Sequence, residues 1–328
     1  MVDFWVFILA LSILLYVLLD GFDLGVGILF GVAPSENEKR AMMSAVSPVW
    51  DGNETWLIVA GVVLWGAFPV VYSTLVSAFY LPIVFMLAGL IMRGVAFEFR
   101  YKTQRWRPVW DAAFASGSLV AAFMQGITVG ALVEGLPFAN GQYSGGDLGW
   151  LDPFAILCGI GLCMGYALLG ACWMVKKCEH EARDLGYRLI AALSGGLLAF
   201  LAIVFALALR AHLQVMHRWL ERPYLFIFPA VGAVAAIVLA RSVRRRNDDR
   251  PFSMASLMFI AAFGTLALSF WPYMIPFQIS IQQAAAPQNS LAFMFWGEGI
   301  FVFPLMLAYA VISYTVFKGK VRTDQVYH

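Results

Sequence analysis

Several acidic side chains stand inside long apolar stretches of this chain, where an ionisable group is expensive enough to need a reason. Asp20 and Asp23 lie in Leu19-Asp20-Gly21-Phe22-Asp23-Leu24-Gly25-Val26-Gly27. They are three residues apart, so on a helix they share one face. Asp51 and Glu54 lie in Pro48-Val49-Trp50-Asp51-Gly52-Asn53-Glu54-Thr55-Trp56, and Arg93 is followed closely by Phe97-Glu98-Phe99-Arg100. Carboxyls that converge with an arginine and small polar residues can form a protonatable, water-connected path. The same groups can instead tie helices together as ion pairs. Both readings stay open on spacing alone, and they are compatible. Glu298, in Phe295-Trp296-Gly297-Glu298-Gly299, reads as a helix-packing hydrogen bond, and Glu134 as an interfacial acid.

Other residue types narrow the chemistry. The four histidines are His180, His212, His217 and His328. None falls at the middle of an apolar run, so a haem held between two intramembrane histidines is not expected in this chain. Cys158, Cys163, Cys172 and Cys178 cluster in or beside one apolar run. That is neither a secreted disulfide framework nor a close-spaced metal quartet, and they read as buried free thiols. The methionines read as core filler. The tryptophans sit near the ends of the apolar runs, as an interfacial belt does. Gln278, Gln282, Gln283 and Gln288 read as a surface loop.

The elements that must hold these groups follow from composition. Of 328 residues, 61% are hydrophobic and 13% charged, and mean hydropathy is +0.77, whereas soluble domains carry about a quarter charged residues. Such a chain needs the bilayer as solvent. Backbone groups in lipid must be paired internally, and long unbroken apolar runs without alternation select helices over a barrel. Nine spans are predicted, at 4–29, 55–75, 77–96, 113–133, 153–175, 187–209, 224–241, 253–273 and 290–317. A tight hairpin is expected around Tyr72–Ser77. Asp3 ahead of the first run, with no basic leader segment, predicts that this run stays as a span. The chain reads as one membrane domain over 1–328, with spans 1–4 and 5–8 as two helix bundles and span 9 peripheral. The net charge of +2 gives no reason to expect nucleic-acid binding.

Charge distribution sets the orientation. With the N-terminus outside, nineteen of the 22 Lys and Arg residues fall on the inner side, and only Arg210, Arg218 and Arg222 on the outer. That asymmetry predicts a periplasmic N-terminus and a cytoplasmic C-terminus. Asp20 and Asp23 then lie roughly 25 Å below the outer end of span 1, at 1.5 Å per residue. Asp51, Glu54, Arg93 and Glu98 come to a similar depth near the cytoplasmic side. Ser35 and Glu38 have capping-box spacing after Pro34, so Ser35–Val49 is expected to carry a short amphipathic helix. The Gly-rich segment Glu134–Asp152 is expected to be irregular.

At these clusters the chain resembles subunit II of the cytochrome bd-type quinol oxidases. The resemblance rests on Asp20-Gly21-Phe22-Asp23-Leu24-Gly25-Val26-Gly27, Trp50-Asp51-Gly52-Asn53 with Trp56-Leu57, and Arg93-Gly94-Val95-Ala96-Phe97-Glu98-Phe99-Arg100. Gly94 departs from the Arg-Pro-Val of some members. The resemblance implies an all-α integral membrane subunit of nine helices in the bacterial inner membrane, paired with a haem-bearing subunit I. Haems b and d, or b alone, belong to that partner, which oxidises quinol and reduces oxygen to water. This subunit then has no catalytic residues or metal of its own. It can hold a structural quinone, and small single-span accessory subunits can join the complex. Proton supply from the cytoplasm is associated with Asp23 and Asp51, and Asp20, Arg93 and Glu98 join them as proton-pathway candidates. A proton-coupled secondary transporter is the alternative reading, since it too uses buried carboxylates and Gly-interrupted helices.

Overall fold

The computed structural model describes residues 1–139, 142–210, 219 and 221–321. Its long helices are α1 (Val2–Phe30), α3 (Trp50–Ala67), α5 (Tyr80–Phe99), α6 (Arg107–Glu134), α7 (Pro153–Lys177), α8 (His180–Arg210), α9 (Ile227–Arg244) and α10 (Arg250–Phe270). Two shorter helices, α2 (Glu36–Val46) and α4 (Pro69–Ala78), precede and follow α3. The last span runs over 288–316, as α11 (Gln288–Met294), a π-helical turn at Phe295–Gly299, and α12 (Val302–Val316). Among the described residues, eight helices are long and apolar enough to cross a membrane, and α3 with α4 makes a ninth if the bent pair counts as one span.

The α3–α4 pair departs from the sequence expectation. The two helices meet at an angle of 120°, and α4 occupies the stretch expected to be a hairpin. Pro69 is the cause: the residue before a proline is pushed out of the helical region, and Phe68 sits at φ −136°, ψ 58°. Ser35 caps α2 as expected, accepting from the Glu38 amide while the Glu38 carboxylate accepts from the Ser35 amide. The segment before α7 is less irregular than expected, since Phe138–Ala139 pairs with Gln142–Tyr143 as a short antiparallel ladder. The glutamine-rich segment likewise holds local order, with Ser280 and Gln283 forming a capping box.

Helix α1 is the hub, packed against α3, α6 and α7. Its approach to α7 depends on glycine. A Cβ on Gly25 would overlap the Tyr166 carbonyl and the backbone of Gly170, and one on Gly170 would overlap Gly25 in return. Two apolar clusters result. One gathers Phe22, Met42, Tyr166 and Trp173 around the second half of α1. The other gathers Trp5, Trp56, Phe68 and Phe303 around its first half. Leu19 and Leu57 touch both, which places Asp20 and Asp23 at the seam. The outward faces of α8, α9 and the last span are lined by exposed Leu198, Phe205, Val234, Phe293 and Leu305, a surface suited to lipid or to another membrane subunit.

Candidate functional site

At the seam, polar side chains from four helices meet, α1, α3, α5 and α12. Asp20 is fully buried on α1, and Arg93, at 2% exposure, reaches it from α5. Arg93 Nη1 donates to Asp20 Oδ1 at 2.7 Å, and Arg93 Nη2 donates to Glu54 Oε2 of α3 at 2.8 Å. One guanidinium thus spans two carboxylates on different helices, a geometry that a planar fork of donors can hold and a lysine cannot. Glu54 keeps 28% of its side chain exposed, so it forms the edge of the network.

Asp23 has a different partner. Its Oδ2 accepts from Asn53 Nδ2 at 2.7 Å, and the same amide group also reaches the Leu19 carbonyl at 3.3 Å. Asn53 Oδ1 accepts from the Tyr314 hydroxyl of α12 at 2.9 Å. Asp23 Oδ1 and Arg93 Nε make no hydrogen bond to the described residues. Asp23 therefore keeps an oxygen with open lone pairs inside the protein.

A second polar group lies beside Asp20, toward the other half of α1. Tyr16 lies one turn before Asp20, on the same face of α1, while Asp20 Oδ2 makes no hydrogen bond to the described residues. The Tyr16 hydroxyl accepts from Gln125 Nε2 of α6 at 2.7 Å, and Gln125 Oε1 accepts from the Tyr166 hydroxyl of α7 at 2.9 Å. Tyr166, Gln125 and Tyr16 thus form a second hydrogen-bonded chain across α7, α6 and α1, beside the Asp20–Arg93–Glu54 bridge.

The remaining predicted residues stand outside this buried set. Asp51 opens α3 and is exposed, one turn before Glu54 on the same side of the helix. Glu98 is exposed too, and pairs with Lys102 at 3.8 Å. Glu298 is half-buried in the π-helical turn of the last span. Of the residues that sequence reasoning passed over, Tyr16 carried a signal, a hydroxyl four residues before Asp20. Gln125 carried another, a carboxamide in an apolar span. Nothing local marks Tyr314, which is 261 positions from Asn53.

Next to the network, a cluster of ions fastens α2 to the ends of α5 and α6. Arg100, 1% exposed, donates to Asp111 at 2.6 Å and to Glu36 at 2.8 Å, while Lys39 pairs with Asp111 at 2.8 Å. As for cofactors, no group of three His, Cys, Asp or Glu side chains among the described residues is arranged to hold a metal ion. His180 begins α8, and His212, His217 and His328 lie outside the described residues. Cys158, Cys163, Cys172 and Cys178 are free thiols, and all but Cys158 are buried.

Comparison with known proteins gives a consistent set of matches. The family model described as "Cytochrome bd terminal oxidase subunit II" matches residues 1–317. The chain is 30% identical to the probable cytochrome oxidase subunit 2 of Haemophilus influenzae, covering 98% of this chain and 94% of that protein. It is 27% identical to the cytochrome bd-I ubiquinol oxidase subunit 2 of Escherichia coli K12, covering 98% and 95%. It is also 27% identical to the cytochrome bd ubiquinol oxidase subunit 2 of Bacillus subtilis, covering 97% and 96%. Among solved structures, a chain of the bd oxidase from Geobacillus thermodenitrificans superposes with a TM-score of 0.79 at 16% identity, covering 96% of each chain. That likeness speaks to the fold.

Proposed function

The chain belongs to the subunit II family of cytochrome bd terminal oxidases, and from that premise we propose that it admits cytoplasmic protons to a haem-bearing partner subunit. It is part of a quinol oxidase complex and a multi-pass bacterial membrane protein. On our reading that membrane is the inner one, with the N-terminus outside and the C-terminus in the cytoplasm, as the distribution of Lys and Arg favours. The chain works there as one membrane domain.

The observation that carries the proposal is the buried Asp20–Arg93–Glu54 bridge, with Asp23 beside it and Glu54 at its exposed edge. Asp51, one turn outside Glu54, would receive protons from the aqueous side. Glu98 would collect them at the same surface, since it lies one turn beyond Gly94, against which Trp50 packs. Glu54 would pass them inward. Arg93 stays charged, because a guanidinium does not release its proton in a protein. Its task is to fix the two carboxylates and balance charge while a proton moves between carboxyl oxygens around it. Asp23 Oδ1, with no donor bound, is a place for a proton to rest.

The haems of such an oxidase, by this reading, sit in the partner subunit, where they carry electrons from quinol to oxygen. The donor set of this chain favours that division: it has four histidines, and the described one stands at a helix start. A structural quinone and small accessory subunits are compatible with the exposed helix faces. The test is Asp51→Asn in the purified complex. Quinol oxidase turnover should fall by about tenfold, the lower range for loss of a positioned proton-transfer group, while haem spectra and subunit ratio stay those of the parent. Unchanged turnover would remove Asp51 from the path.

A further inference from the structure

Beyond proton supply, the geometry points to an anion site at the inner end of the helix assembly: a basic cavity that takes the phosphate of an anionic phospholipid head group. The cavity has a volume of about 180 Å³ and lies between the ends of α2, α7 and α12 and the segment that follows α12. Ser44, Trp173, Lys177, Tyr314, Lys318 and Lys320 are among the residues that line it, and no lining residue is acidic. At about 30 Å³ per liquid water, that space accommodates a phosphate group with room to spare.

Lys177 carries the argument. The residue is only 9% exposed, and it lines the cavity. It donates to the Phe317 carbonyl at 2.5 Å and the Gly319 carbonyl at 3.2 Å, and it forms no ion pair with any described residue. Two neutral carbonyls and the face of the Trp173 ring, 5.1 Å from the ammonium, supply no full negative charge, and one N–H is left without an oxygen acceptor. A largely buried cation with no acidic partner is costly, and an anion offsets that cost. Lys318 also has no acidic partner among the described residues, whereas Lys320 is paired with Asp248. Basic pockets between membrane helices on the cytoplasmic side suit acidic head groups, and Trp173 with the apolar end of the cavity offers a wall for the glycerol region.

The experiment uses the intact oxidase complex, stripped of lipid in detergent and titrated with phosphatidylglycerol, phosphatidylcholine or inorganic phosphate under native mass spectrometry. Phosphatidylglycerol should be retained in preference to phosphatidylcholine. Lys177→Met and Lys318→Gln should each weaken it about fivefold, the effect of about 1 kcal/mol per lysine near an anionic surface. Lys318 is exposed and touches no fold-determining group, so its variant keeps the test meaningful if Lys177→Met loosens the tail. Inorganic phosphate that binds alone, and is lost in the same variants, would uphold the anion site and assign it to a free anion rather than a lipid. Equal binding by parent and both variants, or no preference for phosphatidylglycerol, overturns the proposal.

Discussion

Replacing Arg93 by leucine strands two carboxylates, and the structure fixes how much that should matter. Asp20 is fully buried and would lose its guanidinium outright. Removing one partner of a buried pair typically destabilises by about 3–5 kcal/mol, because the other charge is left uncompensated. Glu54 adds little, since its 28% exposure lets water screen it. An expected loss of about 4 kcal/mol corresponds to a melting shift on the order of 10 °C for a chain of this size. Adding Asp20→Asn to Arg93→Leu removes the stranded charge. What remains is an imperfectly bonded amide, at about 1–3 kcal/mol, so the second substitution should recover roughly half of the loss. Asp23→Asn on the same background should recover far less, because Asp23 is bonded to Asn53 rather than to Arg93. The assay is thermal loss of the haem absorbance of the purified complex, with subunit yield measured alongside. Equal rescue by the two asparagine substitutions, or an Arg93→Leu complex as stable as the parent, would refute the assignment of partners.

Two further outcomes follow from the ion pairs outside the buried network. Arg100→Ala should leave Asp111 and Glu36 without their buried donor and loosen α2, which Lys39–Asp111 and Arg107–Glu36 still tie down, at about 2–4 kcal/mol after allowing for the exposure of Glu36; limited proteolysis should then cut near Glu36–Val46 faster in the variant than in the parent. The tail latch, the Lys320–Asp248 ion pair that ties the segment after α12 to the loop between α9 and α10, should be acid-sensitive. Burial works against ionisation of Asp248, but hydrogen bonds from Lys320 and Tyr187 outweigh it and hold the carboxyl below its ordinary range. A depressed folded-state value means the latch is fully effective above about pH 4, the usual aspartate value, and weakens as pH falls through the lower folded one. Tail cleavage by an acid-tolerant protease should rise only below that point, and Asp248→Asn should abolish the dependence.

Much of the fold was legible because apolar runs are long-range averages that survive local error. The break in span 2 was less so: hydropathy continues through Phe68–Pro69, and only the steric rule for the residue before proline marks the bend. Within the site, residue type was legible, but direction was not. Asp20 and Asp23 share a face, so the sequence could not say which one meets Arg93; that depends on where α5 lies against α1, which Gly89 and Gly117 settle by bringing α5 onto α6. Glu98 matches Arg93 in depth, yet five residues at 3.6 per turn put it about 140° around the helix, and it faces outward. Tyr314 joins the network only through the packing of the last span. No spacing rule reaches that far.

The central claim is that cytoplasmic protons pass through the Glu54 edge of the buried network. The most direct measurement is proton uptake from the cytoplasmic side during a single round of oxygen reduction, followed with a pH dye in membrane-reconstituted complex, for the parent and for Glu54→Gln. The expected result is uptake slowed by at least about tenfold, the lower range for a removed proton-transfer group, with electron transfer to the haems before proton arrival unchanged. Uptake at the parent rate in Glu54→Gln, with haem content intact, would contradict the account.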